Sequence, residues 1–125
     1  MEDTLSTPPP RGNADIVILN TMKQVYASLY QTGNKLTKRD KLGIHAEIEG
    51  IVLLTLRDII SASLLQKAQK HPALERARTS LEVLKHLVRT EHELKIIDQK
   101  TYLRIEELLV ETSKQVNGWL KYLQT

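Results

Sequence analysis

The sequence contains no cysteine and no phenylalanine, and only five of its residues are aromatic. Without cysteine the chain has no disulfides and no thiolate chemistry, and this composition suits a reducing compartment, so we expect a cytoplasmic protein. With so few aromatic side chains, the core must consist mainly of leucine and isoleucine. The chain does not open on a basic segment followed by an apolar stretch, so we expect no signal peptide.

Long apolar runs and catalytic motifs are missing as well. The most apolar stretch, Ile48 to Leu65, is interrupted by Glu49, Arg57 and Asp58, so we expect no membrane span. The sequence has no Walker loop, no Gly-x-Gly-x-x-Gly fingerprint, no Gly-x-Ser-x-Gly elbow and no Glu-x-x-His pair of the kind that binds di-iron centres. We therefore expect a protein that is not an enzyme, holds no cofactor and has no membrane partner.

One pair of residues has the spacing of metal ligands. His45 and Glu49 are four residues apart, so on a helix they share a face and could bind one metal ion. The commoner role of such a pair is that of two solvated polar side chains, and this is the role that the sequence favours.

Turn signals are few, and they divide the chain into long segments. The polar first twelve residues contain a triple-proline run and predict a disordered tail, residues 1–12, ahead of one domain, residues 13–125. Within the domain each segment between turn signals has helical periodicity. The signals are Gly33-Asn34, Asp40 to Gly43, His71-Pro72 and Ile97-Asp98. They predict an all-α, up-down-up-down four-helix bundle whose second helix ends near Lys70 and whose fourth is capped by Asp98.

The predicted second helix has more apolar surface than a bundle helix needs. A stripe a little over ~100° wide suffices for packing, whereas this helix is apolar over roughly 200° of its circumference. One strip faces the predicted core and comprises Ile44, Ile48, Ile51, Val52, Ile59 and Ala62. The second strip comprises Leu53, Leu56, Ile60 and Leu64. We interpret the second strip as an interface between copies of the chain.

Basic residues form two candidate nucleic-acid-binding patches in a chain of net charge +3. The corner patch joins the first two predicted helices and comprises Lys35, Lys38, Arg39 and Lys41. The second patch lies on the third predicted helix and comprises Arg78, Lys85, Arg89 and His92. Cations at helical spacing can bind phosphates, mainly through counterion release. The alternative is a solvated face, because acidic residues balance the cations of the third helix.

Several sequence landmarks resemble a known family. They are Lys35-Leu36-x-Lys38-Arg39-Asp40-Lys41-Leu42-Gly43-Ile44, Leu84-Lys85, Glu93-Leu94-Lys95 and Asn117-Gly118-Trp119-Leu120-Lys121. Over about residues 15–123 the chain is similar to a family of bacterial four-helix-bundle proteins. That family includes the accessory variability determinant (Avd) of diversity-generating retroelements and proteins encoded in intervening sequences of large-subunit ribosomal RNA genes.

The resemblance implies an assembly and a set of partners. It implies a ring-shaped homopentamer that binds a reverse transcriptase and structured RNA, and possibly DNA, and that supports mutagenic retrohoming without catalysis of its own. The ribosomal branch implies a different function, that of an oligomeric assembly module made of protein only. Members of the retroelement branch tend to be strongly basic, whereas this chain is only modestly so.

Overall fold

The computed structural model describes residues 14–124, and that part of the chain is helical without strands. The helices are α1 (Ala14–Gly33), α2 (Lys38–Leu42), α3 (Ile44–Leu64), α4 (Lys67–Glu93) and α5 (Gln99–Leu123). The predicted disordered tail, residues 1–12, lies outside the described residues. None of the described helices is long and apolar enough to cross a membrane.

The four long helices pack as a closed bundle. Helix α3 lies between α1 and α4, and α5 completes the ring by packing against both α4 and α1. Because short turns connect the long helices in sequence, consecutive helices run antiparallel, and the predicted four-helix bundle is confirmed. The C-termini of α1 and α4 therefore meet the N-termini of α3 and α5 at one end of the bundle, where α2 also lies.

The core is aliphatic, as the composition predicts. On α3, Ile48, Val52, Ile59 and Ala62 are fully buried, which confirms the strip assigned to the core. On α5, a row of buried residues repeats at alternating spacings of four and three, namely Ile105, Leu109, Thr112, Val116 and Trp119. This repeat is that of a helix packed nearly parallel to its neighbours.

The turn between α3 and α4 lies earlier than the sequence predicts. The predicted break at Pro72 is wrong, since α3 ends at Leu64 and Pro72 is the sixth residue of α4. In the second turn of α4, Pro72 removes the backbone hydrogen bond to the Ala68 carbonyl and its ring crowds that carbonyl, yet the helix continues through it. A tertiary contact favours the earlier turn, because the Lys70 ammonium donates to the carbonyl of Ala62 at 2.6 Å.

A one-turn helix forms the corner between α1 and α3. The Thr37 side chain caps α2 by accepting from the Asp40 backbone N–H at 3.3 Å. Gly43 ends α2, and a Cβ atom on this residue would lie 2.9 Å from the Arg39 carbonyl oxygen. The corner therefore needs glycine for close backbone approach.

Candidate nucleic-acid interface

One end of the bundle holds the net positive charge of the chain. This end, here called the basic end, consists of residues 34–44 and 92–101. It contains six lysines or arginines and three acidic residues, and the rest of the chain contains twelve of each. The net charge of +3 therefore belongs to the basic end, where a single surface can attract a polyanion.

The four cations of the predicted corner patch are accessible there. Lys35, Lys38, Arg39 and Lys41 are exposed, and none forms a salt bridge with another residue among those described. Three of them lie on α2, so they project from a short, capped segment at the tip of the bundle. Their charge is not compensated by an adjacent ion pair.

A cleft brings together one residue from each of the two predicted patches. Lys35 from the end of α1 and His92 from the end of α4 line the same cleft, whose volume is about 520 Å³. The His92 ring stacks on Tyr102 of α5 with centroids 4.6 Å apart and an interplanar angle of 9°, which fixes the imidazole at the rim. The antiparallel connectivity thus brings residues 57 positions apart into one site.

Lys95 also lines this cleft, although no sequence pattern marks it. Its backbone is left-handed, with φ of 63°, as in the termination motif that usually places glycine after a helix. The Ile96 N–H donates to the Glu91 carbonyl at 2.8 Å, and the Lys95 N–H donates to His92 at 3.0 Å. A left-handed conformation costs a non-glycine residue about 1–2 kcal/mol. No glycine or asparagine marks the position, so the sequence carried no signal for it.

The remaining residues of the second predicted patch are locally compensated. Arg78 pairs with Glu75, and Lys85 donates to Glu82 at 2.9 Å. A hydrogen bond to Tyr102 raises the pKa of Arg89 above its ordinary value. Arg78 precedes His92 by fourteen residues, which is about 21 Å along the helix. Of the four residues, only His92 belongs to the basic end as defined above, and Arg89 lies one turn before it.

A buried polar cluster lies directly beneath the basic end. His45 at the start of α3 is fully buried, and so is Glu91 on α4. His45 Nδ1 lies 2.7 Å from the Glu91 carboxylate, and Nε2 donates to the carbonyl of Leu29 on α1 at 2.7 Å. The prediction that His45 is solvated is wrong, because His45 is fully buried and its hydrogen-bonded side-chain partner, Glu91, is 46 residues away. Both ring nitrogens are occupied, and no metal-binding cluster exists among the described residues.

The cluster ties three helices together and favours a protonated imidazole. Burial lowers the pKa of His45, but the hydrogen bonds to Glu91 and Leu29 outweigh it, so the pKa lies above its ordinary value. The carboxylate of Glu49, 3.7 Å from Nε2, adds to this effect. Gly33 leaves space for the ring, since a Cβ there would lie 3.2 Å from His45 Cδ2. The scaffold under the basic end is thus held by a specific side-chain pair.

A second surface with functional potential runs along α3. Leu53, Ile60 and Leu64 of the second strip are exposed, whereas Leu56 is half-buried and packs against the core. The exposed residues on this face of α3 repeat in a heptad pattern, and this row of residues is here called the α3 seam. The α3 seam comprises Ala46, Gly50, Leu53, Arg57, Ile60 and Leu64, all exposed. Spacings of four and three are those of a helix that packs against another helix, and no helix of the described chain covers this face.

Comparisons with known proteins add no relative from which function can be transferred. No protein-family model, no curated protein and no solved structure matches the chain. Function is therefore inferred from the basic end, the α3 seam and the sequence landmarks.

Proposed function

We propose that the protein is a non-catalytic, RNA-binding scaffold that assembles through the α3 seam. The observation that carries this proposal is the concentration of the net charge at one end of the bundle. An enzyme that acts on RNA needs catalytic groups near its phosphate-binding residues. The basic end offers mainly lysine and arginine, which bind and position phosphates, and its one histidine is stacked on Tyr102.

Assembly would multiply this weakly basic surface. Five copies, the number that the resemblance implies, would carry about fifteen net positive charges on one particle. Each chain would present one basic end, so a folded RNA could contact several at once. Linked binding sites raise the overall affinity without any new contact within a site, which offsets the modest charge of a single chain.

The specific role that we propose is that of an accessory protein in a diversity-generating retroelement. In this role the assembly binds a reverse transcriptase and structured RNA during mutagenic retrohoming. The corner landmark supports the role, because Gly43 maintains the turn while Lys38, Arg39 and Lys41 remain exposed. The proposal rests here on the resemblance of these residues to the Avd family.

An oligomeric assembly module without RNA is the competing function. The observation in its favour is that Arg78 and Lys85 are paired with Glu75 and Glu82, as expected for a solvated surface. This is the function implied by the ribosomal intervening-sequence branch. A neighbouring reverse-transcriptase gene with paired template and variable repeats would support the retroelement role, and a location within a ribosomal RNA operon would support the module.

The salt dependence of RNA binding tests the RNA-binding function. If Lys35, Lys38, Arg39 and Lys41 of one chain neutralise about four phosphates, the affinity should fall roughly 50- to 150-fold between 50 and 200 mM salt, depending on whether the contacted RNA is single-stranded or duplex. Simultaneous contacts by several chains would make the dependence steeper. The measurement is fluorescence anisotropy with a labelled, structured RNA at a series of salt concentrations. Binding that does not respond to salt, or no binding at low salt, would reject this function.

A further inference from the structure

The cleft at the basic end has a mixed chemistry. Its volume of about 520 Å³ lies in the range of pockets that bind small organic ligands. Lys35, His92 and Lys95 place positive charge or hydrogen-bond donors on its walls. Leu36 and Ile96 also line it and are half-buried, so each offers apolar surface to a ligand. The cleft is therefore suited to more than a bare anion.

Asp98 adds a negatively charged hydrogen-bond acceptor to the cleft. It is the one acidic residue among those that line it, and it caps α5 by accepting from the Thr101 N–H at 2.8 Å. Hydrogen bonds from Thr101 lower the pKa of Asp98, so the side chain is a carboxylate at neutral pH. A carboxylate repels phosphate but accepts hydrogen bonds from hydroxyl and amino groups. The cleft thus favours a ligand that carries a phosphate at one end and such donors at another.

Lys95 is the second observation that points to a ligand. Its left-handed backbone, with φ of 63°, would suit glycine or asparagine better. The side chain is exposed and takes part in no salt bridge among the described residues. Strained backbone positions of this kind concentrate at functional sites. What the lysine adds at this position is a positive charge on the wall of the cleft.

We propose that the cleft binds one unpaired nucleotide of an RNA strand. Lys35 and Lys95 bind its phosphate, Asp98 accepts hydrogen bonds from ribose hydroxyls or base amino groups, and the base packs on Leu36 and Ile96. The inference rests on the proposed RNA-binding function in that the nucleotide belongs to an RNA. It goes further by placing a nucleotide-sized site where α1, α4 and α5 meet.

Lys95→Gly separates a binding role from a structural one. Glycine adopts the left-handed conformation without strain, so the melting temperature of the variant should be no lower than that of the native chain. Loss of the charge-assisted hydrogen bond should weaken the binding of uridine 5′-monophosphate about tenfold. The measurement is an NMR titration of the full chain, followed at the methyl groups of Leu36, Ile96 and Ile97.

Lys114→Ala provides the matched control. Lys114 is also exposed, and it lies thirteen residues beyond Thr101 on α5, about 20 Å away. The control removes the same charge, so uridine 5′-monophosphate should bind it as it binds the native chain. An effect of Lys95→Gly no larger than that of Lys114→Ala would overturn the proposal, because general electrostatics would then explain both.

Asp98→Asn tests the selectivity of the cleft. Asparagine is also a good N-cap, so α5 keeps its start while the negative charge is lost. The native chain should bind uridine 5′-monophosphate more tightly than inorganic phosphate, and in the variant phosphate should bind more tightly than before. Equal binding of both probes by the native chain, or no binding of the nucleotide, would reject the nucleotide site.

The outcomes for the cleft and for RNA binding are distinguishable. A salt-dependent RNA affinity with no response of the cleft methyl groups to the nucleotide rejects the cleft and leaves the proposed function in place. Nucleotide binding in the cleft without RNA binding supports the site as a nucleotide pocket and rejects the RNA scaffold.

Discussion

Replacing His45 with leucine is expected to lower the free energy of unfolding by about 3–5 kcal/mol, because it leaves the Glu91 carboxylate buried without its partner. Glu91 is fully buried, and its second oxygen already lacks a hydrogen-bond partner among the described residues. Adding Glu91→Met to the same chain should restore most of the loss, since an apolar pair of similar volume replaces the polar one. Urea unfolding followed by circular dichroism measures both variants.

The pH dependence of stability also tests this cluster, because the direction of the expected change is fixed by the direction of the His45 pKa shift. The pKa of His45 is raised in the folded chain, so folding favours the protonated imidazole. The stabilisation is fully present below the unfolded-state pKa of about 6.5 and is lost as pH rises through the folded-state pKa. The free energy of unfolding of the native chain should therefore fall above about pH 6.5, and that of the His45→Leu variant should change less over the same interval.

His86→Leu is the control for these measurements. His86 is exposed on α4, so its substitution should change stability by no more than about 0.5 kcal/mol. If His45→Leu has as small an effect as His86→Leu, the buried pair does not stabilise the bundle and the structural role of His45 is refuted.

If the chain assembles through the α3 seam as proposed, changing Leu53 and Ile60 together to glutamate is expected to give monomers. The two side chains are 49% and 45% exposed in the single chain, so the bundle itself should still fold. At a packed interface each glutamate would be desolvated without a partner, which costs several kcal/mol. Every 1.4 kcal/mol changes the association constant about tenfold. Light scattering on a sizing column should give the native chain as a multiple of 14.3 kDa and the variant at that mass.

The control places the same two charges on another helix. Leu103 and Val110 of α5 are also exposed and seven residues apart, and changing both to glutamate should leave the assembly intact. A second comparison uses Gly50→Gln and Gly118→Gln. Both glycines face open space in the single chain, but only Gly50 belongs to the α3 seam, so only Gly50→Gln should weaken the association of chains. A native chain that is already monomeric would refute the interface.

The helices and the core were predictable because they depend on local periodicity. The two apolar strips of α3 could be separated by their angular positions, and the structure buries one strip while it exposes most of the other. Leu56 did not follow the pattern. It lies at the edge between the two strips, where the packing of neighbouring helices decides burial, and a pattern on one helix does not contain that information.

The features that were not predictable depend on long-range contacts. The turn lies at Leu65–Gln66, ahead of Pro72, and Lys70 of α4 there donates to the carbonyl of Ala62 on α3, a contact that the pattern around Pro72 does not contain. The sequence pattern did not predict the burial of His45, because its partner Glu91 lies on another helix. Lys95 carried no signal because glycine, not lysine, marks a left-handed helix end. The cleft itself exists only because the topology brings α1, α4 and α5 together.

We propose that the basic end, and not the face of α4, contacts RNA. Two double charge reversals test it, Lys38→Glu with Arg39→Glu at the basic end and Arg78→Glu with Lys85→Glu on α4. Both change the net charge equally, but the α4 pair also loses its ion pairs with Glu75 and Glu82, so circular dichroism first has to show that both variants fold as the native chain does. Measured at low salt with the same RNA, the affinity should fall by about two orders of magnitude for the first pair and less than about fivefold for the second. An equal loss for both pairs, or a larger loss for the α4 pair, would contradict the account.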